Sequence, residues 1–174
     1  MSAGRKVKDT IKTWNTPPKY IISIVEMLNI IELDPCSNEY SMINSDVSYL
    51  LPSKDGLIES WDYKTIFVNP PYGRNSVRKT SIKNWLQKGA EANKKYNSEI
   101  LFLIPVATNT SHFKEIIFKF AEGICFLNDT RLKFWNNGVE DKKGAPMACC
   151  MVYFGDNYNK FNNVFKKHGK TFKV

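Results

Sequence analysis

The hydrophobic and polar positions of this chain fall into short segments with two different periods. Thr16-Pro17-Pro18 opens a helix, with a hydroxyl N-cap ahead of a proline at the first helical position. Tyr20, Ile21, Ile24, Val25 and Leu28 follow at helical spacing and predict one apolar face. Ile31 to Asp34 reads as a short strand stopped by Pro35, Val47 to Leu51 as another, and Asp55-Gly56 as a turn. Thr65-Ile66-Phe67-Val68 is β-branched and aromatic, a buried strand that ends abruptly at Asn69-Pro70-Pro71-Tyr72-Gly73. Helical spacing returns from Lys79 to Lys95, with Ile82, Trp85, Leu86 and Ala90 on one face. Ile100 to Val106 is a buried strand, Ser111 to Ala121 a helix, and Gly123 to Leu127 a further strand. Arg131 to Trp135 is extended, and a polar loop from Asn136 to Gly144 leads to a last strand, Met147 to Phe154.

Strands alternating with helices imply a largely parallel sheet. The connection from Leu127 to Met147 has no helical pattern, so the final strand is expected to insert antiparallel. Only 34 residues lie between Asp34 and Asn69, which leaves the helices between the first strands reduced or missing. The chain divides into a basic lead (1–13), one domain (14–155) and a basic tail (156–174) rich in Asn, Lys and Phe, without clear periodicity.

Composition narrows the class. With 174 residues, 43% hydrophobic and 13% aromatic, the chain can bury a real core and is not of the disordered type. No stretch approaches the length needed to span a bilayer, and the polar lead has no apolar signal segment, so a cytoplasmic protein is expected. Four cysteines form no CxxC pair and only two histidines are present, which argues against a metal site and favours buried thiols. The net charge of +8 is unevenly placed: +3 over 1–13, −5 over 14–73, +6 over 74–95, zero over 96–155 and +4 over 156–174. An acidic half suited to a cationic ligand thus adjoins basic blocks suited to phosphates. A Lys-rich solvated surface is the plainer alternative.

Ligands of open α/β sheets bind beyond the carboxyl ends of the strands. Asp34-Pro35-Cys36-Ser37, the Asp55-Gly56 turn and Asn69-Pro70-Pro71-Tyr72 all fall at such ends. In the last of these, two prolines stiffen a loop presenting an Asn side-chain oxygen, the Pro70 carbonyl and an aromatic ring. Two acceptors and a flat face suit a planar heterocycle with an exocyclic amine. Such an amine is a poor nucleophile, because its lone pair is delocalised. Accepting both of its N–H hydrogens stabilises the positive charge that develops when it attacks.

Phe67-Val68-Asn69-Pro70-Pro71-Tyr72 resembles motif IV of the amino-methyltransferases that modify adenine N6 or cytosine N4. Thr16-Pro17-Pro18 resembles their motif X, and Leu33-Asp34-Pro35-Cys36-Ser37 stands in the place of motif I. With Asp55-Gly56-Leu57, Trp61, Leu103-Ile104-Pro105 and Arg131-Leu132-Lys133-Phe134, the ordered set is similar to the short phage-type DNA N-6-adenine-methyltransferase (Dam) family, from Trp14 to Phe154. The usual glycine-rich cofactor loop is absent after Leu33. The resemblance implies a reduced class I methyltransferase-like (Rossmann-like) fold of the α/β class, mostly parallel with an antiparallel last strand. It also implies S-adenosylmethionine as methyl donor and double-stranded DNA as substrate, with the target base flipped out.

Carried onto this chain, the resemblance makes Asn69, Pro70, Pro71 and Tyr72 catalytic, and Thr16, Pro17, Asp34, Pro35, Cys36 and Asp55 cofactor-binding. Asp55 serves equally as a turn residue, and Asp46 is the other candidate for a ribose contact. Tyr72 and Phe134 are expected to stack on the base, with Trp135 as an alternative and Trp14, Trp61 and Trp85 as packing residues. Arg74, Arg78, Lys79, Lys83, Arg131 and Lys133 are placed to meet DNA phosphates, and no metal is required. Cytosine N4, RNA adenine and a glutamine amide offer similar amines, and a binding domain with a decayed cofactor site is the non-enzymatic rival. A chain this short has little room for a recognition domain, leaving target choice either loose or supplied by a second subunit, as in a dimer. Host-restriction evasion, restriction-modification and regulation are all compatible with such a protein.

Overall fold

The computed structural model describes residues 14–174, and the basic lead lies outside them. Its centre is a seven-stranded sheet of order β2-β1-β3-β4-β8-β5-β9. Four strands form the parallel half: β1 (Ile31–Asp34), β2 (Ser45–Ser48), β3 (Thr65–Val68) and β4 (Glu99–Pro105). The remainder is antiparallel. β8 (Cys149–Phe154) inserts between β4 and β5 (Gly123–Leu127), as the absence of a crossover helix predicted, and β9 (Gly169–Lys173) pairs with β5 at the edge.

Period-two alternation splits the core into two layers. Ile66, Val68, Ile100, Phe102 and Ile104 face one side, where α2 (Ile82–Tyr96) packs with Trp85 and Leu86. Phe67, Leu101, Leu103, Met151 and Tyr153 face the other, beneath α1 (Pro18–Leu28) and α4 (Tyr158–Phe165). No helix crosses between β1 and β2 or between β2 and β3, in line with the short spacing from Asp34 to Asn69.

Three local expectations are corrected. The helix N-cap is Pro17, without a side-chain hydrogen bond, because the Thr16 hydroxyl is turned into the interior. The buried face of α1 is Tyr20, Ser23, Ile24, Met27 and Leu28, so Val25 faces solvent instead. Segment 111–121 forms a π-helical turn, Phe113–Ile117, and a single α-turn, α3 (Phe118–Phe120), rather than a regular helix.

The tail gains structure that its pattern does not announce. α4 is only eight residues long, yet it buries Phe161, Val164 and Phe165 against the sheet. Within the polar loop, β6 (Trp135–Asn136) and β7 (Val139–Glu140) form a hairpin whose turn residues, Asn137 and Gly138, both take positive φ (51° and 78°). An Asn-Gly pair supplies that geometry cheaply.

Candidate active site

The sheet reverses direction of construction at β1: the chain moves outward to β2, then back across to β3 and β4. Such a switch point opens a crevice at the carboxyl ends of the two central strands. Asp34 closes β1 and Asn69 follows β3, and these strands are hydrogen-bonded neighbours with Leu33 opposite Ile66. The fold therefore brings together two motifs separated by more than thirty residues of sequence.

Asn69 is held in one orientation. Its Nδ2 donates to the Trp14 carbonyl at 2.7 Å and to the Thr16 hydroxyl at 3.3 Å. Among the described residues no donor meets its Oδ1 or the Pro70 carbonyl, so both acceptors remain available. Pro70 is buried and Pro71 exposed, so the loop is anchored at its start. Tyr72 is fixed at its far end, where the hydroxyl donates to the Leu103 carbonyl at 3.1 Å. Burial pushes its pKa well up, which keeps this donor protonated.

Three aromatic rings gather beside this loop. The Trp14 indole stacks on Phe134 at 5.2 Å between centroids and 4° between planes. Tyr72 meets both edge-on at 5.7 Å. Phe134 is almost fully buried beneath this cover, whereas Trp14 and Tyr72 are half-buried. Backbone pairing fixes the arrangement, because Asn15 and Trp135 exchange hydrogen bonds of 2.8 and 3.0 Å. Trp135 thus contributes main chain to the site's frame. Trp14, assigned to packing by its sequence context, lies in the centre of the site. Its place two residues before Thr16 was the available signal.

Asp34 is a buried carboxylate, 4% exposed, with no cationic partner among the described residues. Burial pushes its pKa up to about 6, while the Cys36 N–H at 3.2 Å and the hydroxyls of Ser37 and Ser41 pull in the opposite direction. The Cys36 thiol faces the Asn69 backbone N–H, and burial raises its pKa first, with the Asp34 charge adding to the effect. Pro35 is buried, and its carbonyl fills the space where a Cβ on residue 56 would stand, so only Gly56 permits the two loops to meet.

Asp55 has partners within the chain at both carboxylate oxygens. Its Oδ1 accepts from Leu57 N–H at 2.9 Å, and its Oδ2 pairs with Arg78. Asp46 lies exposed within β2, short of the strand's carboxyl end. Pro17 is buried beside Thr16 at the entry to α1. Of the basic residues, Arg78, Lys83 and Lys133 pair with Asp55, Glu115 and Glu140 respectively. Arg74, Lys79 and Arg131 are exposed, with no carboxylate partner among the described residues.

The family model described as DNA N-6-adenine-methyltransferase (Dam) matches residues 4–171. The chain belongs to the Dam family. Its fold, a mixed seven-stranded sheet with a parallel half, is compatible with a small Rossmann-like methyltransferase, and the family's activity is methylation of adenine N6 in DNA. The match runs through the segment that forms α4 and β9. A search of curated proteins finds no match. Among the described residues no helix is long and apolar enough to cross a membrane. No group of three or more His, Cys, Asp or Glu among them could hold a metal ion.

Proposed function

We propose that this Dam-family chain transfers a methyl group from S-adenosylmethionine to the N6 amine of an adenine swung out of double-stranded DNA, with Asn69 as the central catalytic residue. The observation that carries the reading is the fixed amide of Asn69. Because Nδ2 is occupied by Trp14 and Thr16, Oδ1 is the end of the amide left for a ligand, together with the Pro70 carbonyl of the next residue.

These two oxygens accept the two N–H hydrogens of the target amine. Accepting both draws the nitrogen towards a pyramidal shape and opposes the positive charge that grows as the new C–N bond forms. Neither oxygen is basic enough to keep the proton that the methylated nitrogen must lose, so that proton passes to solvent. The contacts tighten as charge builds, so they act on the transition state more than on binding.

The chain's residues also suit the donor. The donor, when bound, supplies an electrophilic methyl on a cationic sulfur. Asp34 offers a buried carboxylate with no cationic partner among the described residues, and we assign Thr16, Pro17, Pro35 and Cys36 to the donor with it. Asp55 supports these residues through Gly56 and Arg78, and need not touch the donor itself.

The aromatic trio supplies the stacking surface. Since Phe134 is covered by Trp14, the surfaces left for a base are those of Trp14 and Tyr72, and Phe134 backs them. Exposed Arg74, Lys79 and Arg131 hold the phosphates. Nucleoside mass spectrometry of unmethylated DNA incubated with the protein and S-adenosylmethionine tests the reading. N6-methyladenine is expected; N4-methylcytosine alone, or no methylated nucleoside, contradicts it.

A further inference from the structure

The loop that follows the catalytic tetrapeptide carries an apolar side chain where solvent alone surrounds it. Val77 is 89% exposed, more than any other large hydrophobic residue described. A single exposed valine is ordinarily unremarkable. Here the surrounding loop is built to present it. Asn75 and Thr80 exchange backbone hydrogen bonds of 2.9 and 3.1 Å, closing the loop at its base. Asn75 Oδ1 accepts from Arg78 N–H at 2.9 Å, and Lys79 adopts a positive φ of 54° to complete the turn. The Arg78 side chain then ties the loop to Asp55, whose neighbour Gly56 abuts Pro35. The tip is thus tied to the Asp55 loop while its own side chain stays exposed.

We propose that Val77 is a wedge that enters the DNA base stack at the place the adenine leaves. This rests on the reading above that the adenine is flipped. Taking a base out of a duplex costs stacking energy and opens an apolar slot between the neighbouring pairs. Proteins that unstack DNA commonly fill such slots with an aliphatic side chain. Valine suits the task because it is compact and stiff at χ1, so little rotamer freedom is lost on insertion. Position also fits: five residues beyond Tyr72, Val77 lies within about 18 Å of the base-stacking ring along the chain. Arg74 and Lys79, exposed on either side of the tip, supply the charge that grips phosphates flanking the slot.

The test uses the full chain with a duplex carrying 2-aminopurine in place of the adenine that the protein methylates, at protein concentrations that saturate the duplex. A fluorescence rise on binding reports the flip. For Val77→Ala, the flipped-to-stacked ratio should fall about tenfold, from the apolar groups removed. Val77→Ile should behave as wild type, and S-adenosylmethionine affinity and the salt dependence of DNA binding should be unchanged in both variants. A wild-type rise with an equal rise in Val77→Ala overturns the wedge and leaves the flipping reading standing. No rise in the wild type defeats the flipping reading, and the wedge with it.

Discussion

The side-chain amide of Asn69 is oriented by the main chain of Trp14, whose carbonyl accepts from Nδ2 at 2.7 Å. One hydrogen bond thereby joins the aromatic cluster of Trp14, Tyr72 and Phe134 to the Asn69 side chain. It also decides which end of the amide faces a substrate, since the donor end is already used. On the proposed reading, the free Oδ1 of Asn69 is the acceptor for the incoming amine.

Asp34 gives the site a pH dependence whose sign can be worked out. Its folded pKa, about 6, lies above the ordinary carboxylate value of 3.8. The folded state therefore holds this proton more tightly than the unfolded state, and stability falls as pH rises through about 4 to 6. At pH 7 Asp34→Asn should stabilise the protein by on the order of 2 kcal/mol, seen as a higher denaturation midpoint, with the gain vanishing below about pH 4. The same variant should weaken S-adenosylmethionine binding by about 1.5–3 kcal/mol, because a charged acceptor is lost. Calorimetry showing unchanged donor affinity would remove Asp34 from the donor site.

The donor's affinity should itself depend on pH. A cationic ligand prefers the ionised carboxylate, so affinity should rise as pH increases through about 6 and then level off. Below that range binding should release a proton, detectable as a buffer-dependent calorimetric heat. A flat profile in the wild type would contradict the pairing.

Basic residues should divide by whether they already have a partner. Neutralising Arg74 or Lys79 should each reduce the salt slope of DNA binding by about 0.9. Arg78→Ala and Lys83→Ala should change it far less, as these cations face Asp55 and Glu115. Equal reductions at all four positions would show that DNA breaks those ion pairs on binding.

Trp14 should matter to DNA more than its sequence context suggests. Trp14→Ala should weaken binding of the flipped base by about 1–3 kcal/mol, while Trp14→Phe should retain most of it. Titration of an adenine-containing duplex in the presence of S-adenosylmethionine measures both. Loss in neither variant would assign Trp14 to packing alone.

Much of this arrangement was legible in the sequence, and the limits have physical reasons. β3 and the loop from Asn69 to Tyr72 were readable because a β-branched run met two prolines, both strong local signals. The antiparallel β8 followed from the absence of a crossover helix. By contrast, α4 and β9 depend on burial of Phe161 and Phe165 against the sheet, a tertiary effect that overrides a weak local pattern. The Thr16 hydroxyl looked like a cap because its neighbours are prolines, yet the competing partner, Asn69, is 53 residues away. Trp14 and the Asp55–Arg78 pair belong to the same class of long-range contacts.

The most direct measurement of the central claim is single-turnover methyl transfer to DNA by Asn69→Ala, with calorimetry of S-adenosylmethionine binding to the same variant. Turnover should fall roughly 100- to 1000-fold, about 2.7–4 kcal/mol, as for loss of one preorganised polar contact in a transition state. Donor affinity should stay within about threefold, since nothing assigned to the donor is removed. Adenine methylation at the wild-type rate would make the loop from Asn69 to Tyr72 a structural turn and contradict the mechanism.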